Sequence, residues 1–156
     1  MKITKLLSIS ALLLATAAAS VQAQAQEVRA GTAKVVGGTV TVQNAQGERA
    51  LQSGDPLHAA DRIVTGADGS ASVVLRDGSV MVIGPQSRME LKSFAFDSTT
   101  HDGNMGVSLL RGTMRMVTDL IGKKRPEAVQ VETPTSTVGI LGTDFILEVA
   151  EAEAAK

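Results

Sequence analysis

His58 and His101 are the two side chains in this 156-residue sequence suited to proton exchange near neutral pH. No cysteine and no Gly-X-Ser-X-Gly turn supplies a nucleophile for either to activate. His101-Asp102 with Asp97 gathers three potential metal ligands in one short stretch, but without the spacing of a zinc or calcium motif. The same residues suit a polar turn, in which Asp and Ser bond back to nearby amides. The run Thr137-Val138-Gly139-Ile140-Leu141-Gly142-Thr143 invites comparison with a phosphate loop. It lacks the P-loop lysine and the three glycines of a dinucleotide fingerprint, so a tight strand bend is the better expectation. Lys123-Lys124-Arg125 either docks an acidic partner or forms a solvated loop, and the loop is the simpler account. We therefore expect no catalysis, no cofactor and no metal.

The elements that must position these residues are read from glycine. Between positions 54 and 145 it recurs beside a small polar or acidic residue at the ends of short aliphatic runs: Gly54-Asp55, Thr65-Gly66, Asp77-Gly78-Ser79, Gly84-Pro85, Arg111-Gly112-Thr113 and Gly142-Thr143-Asp144-Phe145. Such phrases are chain reversals, because glycine reaches positive φ without steric cost. Strands are expected at 33–36 and 39–42, on either side of Gly37-Gly38, with a reversal at 44–47. In Ser70 to Ile83, Asp77-Gly78 reads as a two-residue type I′ turn. That turn pairs Leu75 with Val80 and Val73 with Val82, all four on one buried face. Arg111-Gly112 is expected to fold Val107 and Leu109 against Met116 and Met114, with Ser108 and Arg115 on the other face and the methionines as core filler. Polar loops are expected at 96–104 and 119–128. Gly54, Gly66 and Gly78 fall twelve residues apart, a spacing compatible with successive rungs of a solenoid-like winding.

Composition narrows both fold and address. There is no Trp or Tyr and only three Phe, so aliphatic residues and methionine must fill a narrow core, and a carbohydrate-binding face rich in aromatics is not expected. Lys2 and Lys5 precede the apolar run 6–19 and the small, polar stretch 20–25, the layout of a signal peptide cleaved after Ala25 or Ala23. The run is shorter than the ~20 residues of a bilayer span. About 131 residues then remain, enough for one core, with residues 31–149 as the domain and 150–156 as a flexible tail. Without the two leader lysines, 13 basic residues face 16 acidic ones, a formal charge of −3 that argues against nucleic acid or anionic lipid as partner. The expectation is an all-β domain exported to the periplasm or on beyond it, a single β-solenoid-like or β-roll module without disulfides.

The stretch from Glu132 to Phe145, with Thr133, Pro134, Gly139, Gly142, Thr143, Asp144 and Phe145, is more specific than turn chemistry requires, and it resembles the closing motif of the FecR domain family. Gly54-Asp55 to Thr65-Gly66, Asp77-Gly78 to Gly84-Pro85, and Leu110-Arg111-Gly112-Thr113-Met114-Arg115 fall in the family's usual order and approximate spacing. Two positions depart. The family's second Gly-Asp phrase is here Ala60-Asp61, expected to cost little, and an arginine usual before the closing Gly-Thr is here Leu141, where it could have anchored a carboxylate or a partner. The resemblance implies a module that senses or binds another envelope component. In the best-known architecture it is the periplasmic part of a regulator that receives a signal from an outer-membrane siderophore transporter. This sequence shows no anti-sigma segment, membrane helix or transporter-contacting extension, so by itself it is not expected to signal to a sigma factor. The leading expectation is an interaction module for an envelope protein. The alternative is a scaffold that holds a small ligand or a peptidoglycan element.

Overall fold

Alternation of buried and outward-facing residues marks the clearest strand, Ser70–Leu75, in which Ala71, Val73 and Leu75 are buried while Ser72 and Val74 face outward. Around it a computed structural model describes residues 28–140 and 144–150. The expected signal segment, most of the tail and Leu141, Gly142 and Thr143 lie outside the described residues.

Twelve strands follow one another: β1 (Arg29–Gly37), β2 (Val40–Asn44), β3 (Gly47–Ala50), β4 (Pro56–His58), β5 (Arg62–Thr65), β6 (Ser70–Leu75), β7 (Val80–Ile83), β8 (Arg88–Phe96), β9 (Gly103–Val117), β10 (Val129–Glu132), β11 (Thr137–Gly139) and β12 (Asp144–Val149). A short helix, α1 (Leu120–Lys124), and a 3-10 turn at Pro126–Ala128 connect β9 to β10. The long strand β9 is the spine of a single twelve-stranded sheet. Its first half pairs with β8 on one edge and β10 on the other, and its second half pairs with β7 and β12. One half-sheet therefore runs β3-β2-β5-β8-β9-β10-β11 and the other β4-β1-β6-β7-β9-β12. The two halves close over one core of aliphatic side chains and the methionines Met81, Met89, Met105, Met114 and Met116, as the scarcity of aromatics requires.

The all-β class is as expected. The solenoid-like winding is not plainly present, because among the described residues every ladder is antiparallel except β9 with β10, so the chain reverses rather than coils. Gly66, the expected middle rung, does not even take positive φ.

Two turn expectations are corrected. The β6–β7 connection has three residues, with Leu75 N–H bonded to Ser79 O at 2.8 Å and Gly78 in the left-handed region at φ 90°. Three-residue loops of this kind end in a glycine bulge. The register shifts by one, so Val73 pairs with Met81 and Val74 with Val80. A one-residue slip exchanges the faces. Met81 and Ile83 are buried, and Val82 is exposed. The second correction is at Gly112, which makes no hairpin. It sits at φ 87° inside β9, where the strand continues through a change of face. Val107, Leu109, Met114 and Met116 are all buried as expected, but in line along one strand rather than folded against each other. The basic stretch expected as a loop at 119–128 contains α1 instead.

Candidate functional site

The residues with chemistry in their side chains are not brought together. His58 lies in β4 with its Nδ1 3.7 Å from Asp61, while His101 stacks on Phe96 with ring centroids 6.3 Å apart at the far end of β8. Asp97 accepts the amides of Thr99 and Thr100 at 2.7 and 2.9 Å, bonds that hold its carboxyl below the ordinary carboxylate range. Asp102 is bound by Lys124 at 2.9 Å, which lowers its carboxyl likewise. Both acids thus serve the 97–102 loop, and no group of three or more His, Cys, Asp or Glu that could hold a metal occurs among the described residues. The basic patch is tied down in the same way: Lys123 pairs with Asp119, Lys124 with Asp102, and Arg125 donates to Gly103 O at 3.2 Å. The segment compared with a phosphate loop begins as β11.

Several of the described family-motif residues lie at or beside turns. Gly54 N–H bonds to Ala33 O, and Asp55 accepts the Gln52 amide and Arg49, which together lower its carboxyl. Buried Asp61 caps two neighbours, accepting from Asn44 Nδ2 and the His58 amide, both at 2.9 Å. Ala60 just before it sits at φ 69°, the left-handed region that costs a β-carbon about 1–2 kcal/mol, so the Ala60-Asp61 departure carries a cost. Buried Asp77 accepts from Ser79 N and Oγ, and Ser79 Oγ in turn receives the Asp119 amide, which fastens the chain after β9. Gly66, Gly84, Pro85 and Gly112 surround a buried knot: Thr65 Oγ1 donates to Gly84 O at 2.7 Å and accepts Ser87 N–H at 2.8 Å, Gln86 N–H bonds Gly66 O, and Ser87 Oγ receives Thr113 N–H and bonds Pro85 O. Thr133 Oγ1 closes the β10–β11 turn through Ser136 N–H at 3.0 Å, with Pro134 at its tip and Gly139 at the end of β11.

The last motif residues do something different. Arg115 in β9 donates Nε and Nη2 to the two carboxylate oxygens of Asp144 at 3.0 and 2.7 Å, a bidentate pair that lowers the Asp144 carboxyl. The pair fixes the start of β12, which otherwise touches the sheet along one edge. Phe145, Leu147 and Val149 point toward the core but are only half-buried, because no strand lies beyond β12 among the described residues.

Four strands end the half-sheets among the described residues, and three of them are short or carry no buried side chain. β4 has three residues and begins with proline, β11 has three, and β3 carries Glu48 and Arg49 with no buried side chain. β12 has six residues, no proline or lysine, half-buried apolar side chains inward and Ile146, 73% exposed, outward. Ile146 also closes a register row across the outer face, Val35-Ser72-Val82-Arg115-Ile146. Beside the end of β12 a groove of about 500 Å³ is lined by Leu110, Pro134, Val138, Leu147 and Val149. Sequence reasoning missed β12 as a surface, since its motif ends at Phe145 and Ile146, Leu147 and Val149 look like any core strand. The missing signal is which strand lies at an edge, and that follows from pairing rather than pattern.

No helix among the described residues is long and apolar enough to cross a membrane. A search of curated proteins finds no match. A solved structure described as "Cell surface anchoring domain" is 38% identical, covering 40% of this chain and 83% of that one, with a TM-score of 0.38. The family described as "FecR protein" matches residues 61–156, from the corner at Asp61 through β12 and beyond. That span is more than half of the sequence and contains the Asp77, Gly112 and Asp144 corners, and on it the chain belongs to the FecR family.

Proposed function

We propose that this chain is a non-enzymatic interaction module of the bacterial periplasm, which binds another envelope protein by accepting an extended segment of it alongside β12. Membership of the FecR family supports an envelope role. The observation that carries the mode of binding is the edge itself: a six-residue strand with no further strand paired to it among the described residues, whose Phe145, Leu147 and Val149 leave the rim of the core half-covered. An added strand pairs those backbone groups and buries that rim in one step, the arrangement by which sheet edges take up peptides. Burying apolar surface there contributes about 25 cal/mol per Å². The separation of His58 from His101, and the use of Asp97 and Asp102 in loop bonds, support a role without catalysis.

The test is photo-crosslinking in intact cells from position 146, with position 48 on β3 as control. A discrete adduct with one envelope protein from position 146 and none from position 48 is expected. No adduct at 146, or the same adducts from both positions, refutes the proposal. A thermal shift with purified muropeptides in the absence of any adduct would transfer the function to the scaffold alternative.

A further inference from the structure

The charges along β12 specify what kind of strand it accepts. On its outward side stand Asp144, Ile146 and Glu148. Asp144 is neutralised by Arg115, whereas exposed Glu148 has no hydrogen-bond or ion partner among the described residues. Its register neighbour on β9 is Thr113, which offers no charge. A strand laid along that edge therefore meets one carboxylate that no described residue pairs, flanked by an aliphatic side chain.

A second copy of this chain fits that edge badly. Antiparallel self-pairing that keeps inward residues inward has two central registers. One sets Ile146 opposite Ile146 of the second copy and so brings Glu148 opposite Asp144 of the second copy, another carboxylate whose arginine is already engaged, so Glu148 gains no cation of its own. The other sets Leu147 opposite itself and leaves Glu148 opposite an isoleucine, still without a cation. Either way two acidic strands meet, in a chain already acidic overall.

We infer that the strand bound at β12 comes from a different protein and is basic: aliphatic residues at alternate positions cover Phe145, Leu147 and Val149, and a lysine or arginine on the other face stands opposite Glu148. This rests on the proposal that β12 accepts a strand. Cross-strand ion pairs specify partner and register more than they add affinity, and the chain's negative charge also speeds the approach of a basic segment.

Two nine-residue peptides test it, each with valine at even positions and threonine at odd ones, except for a central lysine in the first and glutamate in the second. Binding to the purified protein is read by fluorescence anisotropy, and contact with β12 by slowed amide exchange of residues 144–149. The lysine peptide is expected to bind about fivefold or more tightly than the glutamate peptide, and Glu148→Lys is expected to reverse that order. Glu148 is exposed, so the variant should melt with the wild type. Equal binding of the two peptides overturns the charge rule while leaving strand acceptance intact. Failure of both, with no change in β12 exchange, overturns strand acceptance itself. A wild-type dimer in sedimentation that Ile146→Lys converts to monomer makes a second copy the occupant and overturns the inference.

Discussion

Replacing Gly112 with alanine should be among the more damaging single-methyl changes in the domain. Its φ of 87° is one that a β-carbon reaches at a cost of about 1–2 kcal/mol. The added carbon would also sit 2.2 Å from Ser87 Oγ and 2.5 Å from Ser87 Cα, so the backbone of the neighbouring corner must move, not merely a side-chain tip. Ser87 is fully buried and joined to Thr113, Pro85 and Thr65 by hydrogen bonds of 3.0, 3.1 and 2.8 Å. Loosening two or three of these at about 1 kcal/mol each brings the total to roughly 3–5 kcal/mol. That is a large share of a typical 5–15 kcal/mol stability and corresponds to a fall in Tm of about 10–20 °C. Two controls isolate the terms. Gly54→Ala has φ 96° but open space around the new carbon, so only the backbone cost of about 1–2 kcal/mol applies. Gly139→Ala has neither strain nor neighbours within 4 Å and should fall within about 0.5 kcal/mol of wild type. Urea melts of the three variants decide the matter. If Gly112→Ala loses no more than Gly54→Ala, the Ser87 knot is not rigid and the face change within β9 has another cause.

Three further outcomes are expected. Met81→Ala should cost about 2–5 kcal/mol in urea melts, while Val82→Thr stays within about 0.5 kcal/mol, and the opposite order would restore the two-residue hairpin register. Ala60→Gly should stabilise by a few tenths to about 1 kcal/mol, the relief of a left-handed alanine offset in part by glycine's greater entropy when unfolded; a loss of stability would mean that the φ of 69° carries no strain. Arg115 lowers the Asp144 carboxyl, so the pair's contribution is complete above the ordinary aspartate value near ~3.9 and is lost as pH falls through the lower folded value. Amide exchange of β12, corrected for its intrinsic pH dependence, should therefore stay flat from about pH 5 to 8 and quicken below about pH 4; loosening near neutrality would show that another group holds the strand.

The sequence made strand content, the turn at Asp77-Gly78 and the family legible because each rests on local chemistry. Asp77-Gly78 had to be a turn whichever register followed, and Val107, Leu109, Met114 and Met116 had to be buried whether or not the chain reversed between them. Register and connection were not legible for the same reason. Asp-Gly suits a two-residue loop as well as the bulged three-residue loop found here, and the choice was made by Asp119, which packs against Gly78 and bonds to Ser79 through its amide. Likewise Arg111-Gly112-Thr113 has the composition of a hairpin turn, yet β7 and β8 lie along one edge of β9 with β10 and β12 along the other, which keeps the strand extended through the glycine. Only partners distant in the chain separate these outcomes, and the twelve-residue glycine spacing misled on the winding because spacing carries no strand direction.

The corner residues and the proposed contact residues also divide the labour in a way that bears on how such a chain could change partners. Thr65, Asp77, Ser87 and Gly112 spend their bonding inside the domain, and Arg115 and Asp144 neutralise each other, so changing any of them alters where β12 lies before it alters what β12 touches. The side chains of Ile146 and Glu148 have no hydrogen-bond or ion partner among the described residues. Substitution there leaves the edge in place while changing its side-chain code, and backbone pairing, indifferent to side-chain identity, persists. If β12 accepts a strand as proposed, a motif that fixes the geometry of that strand, followed by outward positions it does not constrain, would let the contact change while the fold stays the same.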